Sequence, residues 1–151
     1  MKQRPEGASD EAVEAVGKFS EAVEYLIRAR GHLYSAHQLI GHADLLFDEV
    51  ADGLEGAGLV EDAQRVREEI IGRNVLDGRW TFQIVEEFDA LYFHPVQGEL
   101  DRLERDHMGG QRHVFESELK ERRRSRGRAG HEPRPKDAHD DRVETTPGGD
   151  G

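Results

Sequence analysis

A heptad pattern of apolar residues limits what this chain of 151 residues can fold into. The repeating positions are Phe19, Leu26, Leu33, Ile40, Phe47 and Leu54. Residues a heptad apart return to nearly the same side of an α-helix, so the pattern predicts one continuous helix with an apolar stripe. At 1.5 Å per residue, the stripe spans about 52 Å from its first member to its last. One helix therefore takes up a large share of the chain.

Two other columns of the same heptad pattern flank the apolar stripe. The first column reads Val23, Arg30, His37, Asp44 and Ala51. The second, which we call the alanine column, reads Ala22, Ala29, Ala36, Ala43 and Val50. Ionisable side chains are costly to bury without partners, so we expect those of the first column to find partners on another helix. The alanine column leaves room for a second helix to approach closely.

Capping and turn residues set the predicted limits of the helices. Ser9 is a suitable N-cap, and Asp10 and Glu11 suit the positive end of a helix dipole. Helical periodicity continues to about Leu54, after which several glycines are expected to end the first helix. Pro95 should kink or restart a later helix. The shorter helices are predicted over residues 60–71, from residue 80 or 81 to residue 107, and over residues 111–124.

The predicted fold is all-α, a helical bundle built on one long N-terminal helix with two to three shorter helices. No segment alternates between apolar and polar residues as a strand does. We expect residues 1–8 to form a flexible arm and residues 9–124 a helical domain. Residues 125–151 are expected to be a disordered polar tail, because Gly, Pro, Asp and Arg dominate there without apolar anchors.

Composition excludes several classes of protein. The chain has no cysteine, which excludes disulfides, thiolate metal sites and cysteine nucleophiles. It has neither a long apolar run nor the basic-then-apolar start of a signal peptide, so we expect a soluble cytoplasmic protein without a membrane partner. The formal net charge of −11 disfavours nucleic acid as a partner over most of the surface.

Arg30, His37 and Asp44, which we call the polar seam, are the most unusual residues of the first helix. Successive members lie about 10.5 Å apart along the helix axis, so no two of them can share one metal ion or one direct hydrogen bond. On the third helix, Glu87 and His94 are also a heptad apart. If the two helices are antiparallel, His94 would approach Asp44 or His37. Glu87 would then approach His37 or Arg30.

The polar seam has two interpretations. The first is a site between helices for Fe, Mn or Zn, whose ligands would be His37, Asp44, Glu87 and His94. The second is a structural ladder without a cofactor, which fixes helix register or oligomeric state. We favour the second, because no recognised metal-binding motif accompanies these residues.

The linker before the third helix is another candidate site. Arg73, Arg79 and Trp80 lie around its glycines, and an arginine pair beside an aromatic ring can hold an anion or a nucleotide base. More often, such a tryptophan anchors the start of its helix and the arginines are solvated. We favour this structural role.

A cationic run follows the last predicted helix. Residues 120–128 carry six basic side chains and one acidic side chain. Its arginines are candidates for contact with an anion or with nucleic-acid phosphates: Arg122, Arg123, Arg124, Arg126 and Arg128. No aromatic residue is interleaved to stack on bases, so we expect weak nucleic-acid binding at most. The alternative is a helix end matched to its dipole.

The sequence favours a non-catalytic helical interaction or scaffold protein that forms homo-oligomers or binds another protein. The first helix is longer than the other helices can cover, and a homodimer through the alanine column would bury the surplus. The first alternative is a helical bundle that binds a metal or cofactor through His and carboxylate ligands, with or without enzymatic activity. The second is a weak nucleic-acid binder that uses residues 120–128.

Overall fold

The computed structural model describes residues 4–135, and this part of the chain is helical without a β-strand. The helices are α1 (Asp10–Gly56), α2 (Val60–Arg65), α3 (Thr81–Phe88), α4 (His94–His107) and α5 (Val114–Arg123). One π-helical turn, Val66–Ile70, extends α2, and a second, Asp89–Phe93, joins α3 to α4. The described residues thus form four continuous helices, and the predicted all-α fold with one long N-terminal helix is confirmed.

The limits of α1 follow from its capping residue and from the glycine after its end. Ser9 Oγ accepts a hydrogen bond from the Ala12 backbone N–H at 3.1 Å, as expected of an N-cap. The helix then continues for 47 residues and passes through Gly31 and Gly41 without a break. Gly58 follows it at φ +82°, a left-handed conformation that glycine adopts without strain.

A widened helical turn precedes Pro95. Proline lacks a backbone N–H, and its ring clashes with the carbonyl group four residues earlier in a regular α-helix. The turn Asp89–Phe93 is π-helical, so its hydrogen bonds skip one residue more than in an α-helix. The helix therefore continues past the proline, and the irregularity lies in the preceding turn rather than in a break at Pro95.

Contacts divide the chain into two compact units, each with its own buried side chains. Among the described residues, the first unit comprises residues 4–25 and 96–135. Its core cluster is formed by Val13, Met108 and Val114, which are almost fully buried. These residues come from α1, from the turn after α4 and from the start of α5, so the core joins segments that are distant in the sequence.

Two further contacts attach α5 within the first unit. Phe115 lies directly against Gly17, where a larger residue would meet its side chain. Arg4 binds Glu118 through a bidentate pair with distances of 2.7 and 2.8 Å, and this holds the pKa of Glu118 below its ordinary value. The described part of the predicted N-terminal arm is thus bound to α5. Residues 1–3 of that arm lie outside the described residues.

The second unit, Leu26–Pro95, contains few buried large side chains. Its buried hydrophobic residues are Ala51, Ala63, Val85 and Phe93. Arg67 binds Asp52 at 2.9 Å and Glu55 at 2.7 Å, which attaches the π turn after α2 to the end of α1. Such exposed ion pairs contribute little stability each. Much of the apolar surface of this unit is therefore open to solvent.

Candidate functional site

Arg30, the first member of the polar seam, has several partners. It forms a bidentate pair with Asp89, at 2.7 Å from Nε to Oδ1 and 2.9 Å from Nη2 to Oδ2. Tyr34 Oη donates to the same carboxylate at 3.1 Å. The guanidinium carbon lies 5.0 Å from the ring centroids of both Tyr34 and Phe93, which is cation–π geometry. The hydrogen bond from Arg30 holds the pKa of Asp89 below its ordinary value, although burial opposes the shift.

The other two members of the polar seam also have partners, one at the first residue of α3 and one in the linker before it. His37 Nδ1 lies 2.6 Å from Thr81 Oγ1. Asp44 Oδ1 accepts a hydrogen bond from the Gly72 backbone N–H at 3.2 Å. Gly72 also accepts a hydrogen bond through its carbonyl group, from Trp80 Nε1 at 3.1 Å. Each seam residue thus has a separate partner; those of Arg30 and His37 lie on another helix, as expected, whereas that of Asp44 lies in the linker before α3.

The identities of all three partners differ from the expectation, which named Glu87 and His94. Glu87 does not pair with His37 or Arg30; it accepts a hydrogen bond from Arg79 Nε at 2.6 Å. Arg30 is bound instead by Asp89. The expected pairing is wrong because Glu87 and Asp89 are two residues apart and point to different sides of their helix. Counting in heptads along one helix cannot fix the register of the helix opposite it.

The structure does not bring the four predicted metal ligands together. His94 is exposed, and its ring lies 5.9 Å from that of Phe93. Among residues 4–135, no group of three or more His, Asp or Glu side chains is placed to hold one metal ion. Metal binding by His37, Asp44, Glu87 and His94 stays a prediction, which metal analysis of protein purified without a histidine tag would test.

Of the three linker residues, Arg79 and Trp80 make structural contacts, and Arg73 and Trp80 line an open groove. Arg79 is occupied by Glu87, and Trp80 caps α3, where its backbone N–H donates to Gln83 Oε1 at 2.8 Å. The indole of Trp80 is 40% exposed and forms part of a groove of about 540 Å³. Arg73 also lines this groove. The groove is concave, and its lining is mostly apolar.

One side of α1 within the second unit is apolar and exposed. We call it the α1 apolar face, and its members are Ala36, Leu39, Ala43, Leu46 and Val50. Leu39 is 70% exposed, Leu46 is 45% exposed and Val50 is 46% exposed. Ala43 is half-buried and Ala36 is exposed. Four turns of one helix therefore present side chains that water solvates poorly.

The cationic run, residues 120–128, lies at the end of α5 and just after it. Arg124 Nη2 donates to Glu121 Oε1 at 2.8 Å, and Arg126 lies 3.1 Å from the same oxygen. Both cations are thus partly neutralised by one carboxylate, whose pKa Arg124 lowers. Residues 124–135 form turns without helix or strand, and residues 136–151 of the predicted tail lie outside the described residues. Nucleic-acid binding by this segment stays a prediction.

Sequence reasoning missed Asp89, although a signal for it exists. Val85 and Phe93 are both buried, and Asp89 lies midway between them at helical spacing. An acidic residue at that position falls on the side of the helix that faces the core. A core-facing carboxylate on one helix and a core-facing arginine on another indicate a pair, and this comparison would have found it.

Comparison of the chain with models of protein families, with curated proteins and with solved structures finds no match in any of the three. None of the helices in residues 4–135 is long and apolar enough to span a membrane. Any functional proposal must therefore come from the surfaces of the molecule itself.

Proposed function

We propose that this protein is a non-catalytic helical interaction protein that self-associates through the α1 apolar face. The observation that carries the proposal is the exposure of Leu39, Leu46 and Val50 on one side of one helix. Monomeric proteins rarely expose contiguous apolar surface of this kind, and such patches commonly mark interfaces. All but two of the exposed large hydrophobic residues of the described chain lie in the second unit; the exceptions are Tyr25 and Leu119.

The side-chain sizes on the α1 apolar face suit a second helix. Ala36 and Ala43 lie along one edge of the face and Leu39 and Leu46 along the other, with Val50 between them. Small residues let two helix axes approach to the short end of the usual 8–10 Å range, and the leucines can then pack beside the partner. The contacts of the polar seam support the proposal, because they hold the opposite side of α1 against residues of the same chain.

An antiparallel pair of α1 helices fits the positions of the residues better than a parallel pair. A twofold axis near Leu39 sets Ala36 of one copy opposite Ala43 of the other, so alanines meet alanines. The same axis brings Arg28 of one copy towards Glu49 of the other. A parallel pair would instead bring Glu49 towards its own equivalent. Opposite charges across an interface favour the antiparallel arrangement.

Light scattering of the purified protein tests the association. We expect a mass of about twice the chain mass of 17.1 kDa. Ala36→Met should weaken dimerisation roughly 5- to 150-fold, because overpacking a close contact costs about 1–3 kcal/mol. Gln38→Met is the matched control, since Gln38 is exposed on the other side of the same turn. A monomer at high micromolar concentration, or equal effects of the two substitutions, would contradict the proposal.

Introduced cysteines test the direction of the helices, because the chain has no cysteine of its own. In the antiparallel dimer, oxidation of an equimolar mixture of Ala36→Cys and Ala43→Cys chains should give the mixed disulfide. Each variant alone should give little cross-linked product. Efficient cross-linking of Ala36→Cys to itself, with no mixed product, would indicate a parallel pair.

A further inference from the structure

A groove of about 540 Å³ opens in the second unit between α1 and the segment from residue 70 to residue 81. Its apolar walls are Ile40, Phe47, Ile70, Val75 and Trp80. The volume falls in the range of small-molecule sites, which are concave, mostly apolar, and lined by a few polar groups. The proposed dimer does not account for this surface, because the α1 apolar face shares only Ala43 with it.

The walls of the groove are held in place by hydrogen bonds. Gly72 binds Asp44 through its N–H and Trp80 through its carbonyl oxygen. Thr81, at the other end of the wall, lies 2.6 Å from His37 Nδ1. Gly72 adopts φ +76°, which a residue with a side chain rarely adopts, so this turn depends on glycine. A surface fixed in this way loses little freedom when a ligand binds.

The charged side chains in and near the groove differ in whether they already have a hydrogen-bond or ion-pair partner within the chain. Asp44 accepts the N–H of Gly72. Arg79, farther along the linker, is paired with Glu87. Arg73 lines the groove, and its guanidinium group has neither a hydrogen bond nor an ion pair with any of residues 4–135; only its backbone N–H is bound, to the Ile70 carbonyl oxygen at 3.1 Å. A buried apolar ligand with one negative charge at its end would therefore meet apolar walls along its body and a guanidinium group at its head.

We propose that this groove binds a small amphipathic carboxylate, such as a fatty acid, with Arg73 as the headgroup contact. The aliphatic chain lies against Ile40, Phe47 and Trp80, and burial of its methylene groups provides most of the affinity. The carboxylate accepts hydrogen bonds from Arg73. Asp44 lowers the affinity for an anion through like-charge repulsion, so its replacement acts in the opposite direction to the replacement of Arg73.

Trp80 reports on this groove directly, because it is the only tryptophan of the chain. The full-length protein is titrated with dodecanoate and, separately, with 1-dodecanol, both at concentrations below those at which they aggregate, while Trp80 fluorescence is recorded. We expect a saturable change with both probes and roughly tenfold tighter binding of dodecanoate, since a charge-assisted hydrogen bond contributes about that factor. Equal affinities for the two probes, or no saturable change, would overturn the proposal.

Single substitutions then test which residues contact each part of the probe. Arg73→Gln should weaken dodecanoate binding roughly tenfold and leave dodecanol binding unchanged. Asp44→Asn keeps an acceptor for the Gly72 N–H and should strengthen dodecanoate binding. Val75→Gln, in the groove wall, should weaken both probes, whereas the matched control Leu91→Gln, exposed elsewhere in the unit, should weaken neither.

Two other occupants of the groove would contradict the proposal, and the same signal detects them. If Trp80 fluorescence changes with protein concentration in the absence of a probe, and the change persists in Ala36→Met, a second copy of the chain fills the groove. If Trp80 emits as a fully buried indole at all concentrations and no probe alters it, a segment of the same chain fills the groove. In either case the groove is not an amphiphile site.

Discussion

Replacing Gly17 by alanine should cost stability, although alanine is the better helix former. Gly17 is buried in α1, and a Cβ atom added there would lie 2.9 Å from Phe115 Cβ and 3.0 Å from Phe115 Cγ. Carbon atoms in contact prefer about 3.5–4.0 Å, so α5 or the phenyl ring must move. Gly98, in α4 of the same unit, has no atom within 4 Å of the corresponding position. The two glycines therefore form a matched pair.

The expected magnitude follows from two opposing contributions. Exchange of glycine for alanine inside a helix gains about 1 kcal/mol of unfolding free energy. Overpacking a filled contact costs roughly 1–3 kcal/mol. The first contribution is common to Gly17→Ala and Gly98→Ala, so the difference between the two variants is the overpacking cost alone. For a chain of this length, that difference corresponds to roughly 2–12 °C in Tm.

Urea and thermal unfolding, followed by far-UV circular dichroism in one buffer, measure both variants against the wild type. Gly98→Ala should be more stable than the wild type, and Gly17→Ala should be as stable as the wild type or less stable. Equal stabilisation by both substitutions would refute the reasoning. It would mean that Phe115 does not lie against Gly17 and that the packing of α5 in the first unit is different.

Two further predictions concern single residues. Arg30 lowers the pKa of Asp89, so the stabilisation from this pair is complete above the ordinary carboxyl pKa of about 4 and is lost as the pH falls through the lowered value. Asp89→Asn should therefore lower the urea midpoint of unfolding at pH 7. At acidic pH, the midpoints of the variant and the wild type should become equal. The same difference between the two midpoints at both pH values would contradict this. Among residues 4–135, His113 is the only non-glycine residue at positive φ, at 58°, so His113→Gly should raise the unfolding free energy by about 1 kcal/mol. A loss of stability would instead show that the side chain, which lies 3.7 Å from Glu116, outweighs the backbone strain.

The helices were predictable because local signals specify them. Ser9 satisfies a backbone N–H at the start of α1, and Gly58 supplies the left-handed residue that follows its end. The heptad columns also predicted that α1 passes through Gly31 and Gly41, since an interruption would have shifted the phase of the apolar residues. The π turn before Pro95 could not be predicted from local signals, because a proline is compatible with a kink, a restart or a widened turn of the helix.

The candidate sites were predictable only in part. The sequence identified Arg30, His37 and Asp44 as residues that need partners, because their side of the helix is apolar elsewhere. Counting in heptads did not identify Asp89, because pairing across two helices depends on their relative translation and rotation, which such counts do not record; the core-facing position of Asp89 was the signal to use. The groove was missed as a surface for the same reason. Its walls come from segments of the chain that lie far apart in the sequence.

The two sides of α1 in the second unit reverse the usual distribution of polar and apolar residues. Arg30, His37 and Asp44 are half-buried and have partners, whereas Leu39, Leu45 and Leu46 are exposed. Apolar burial toward the rest of the chain, by Leu33, Ala51 and Leu54, is therefore only part of what orients the helix about its own axis. The contacts of Arg30, His37 and Asp44 are directional, and they fix that rotation. In the proposed dimer, the polar seam would keep Leu39 and Leu46 facing outward, where a second copy of α1 can cover them.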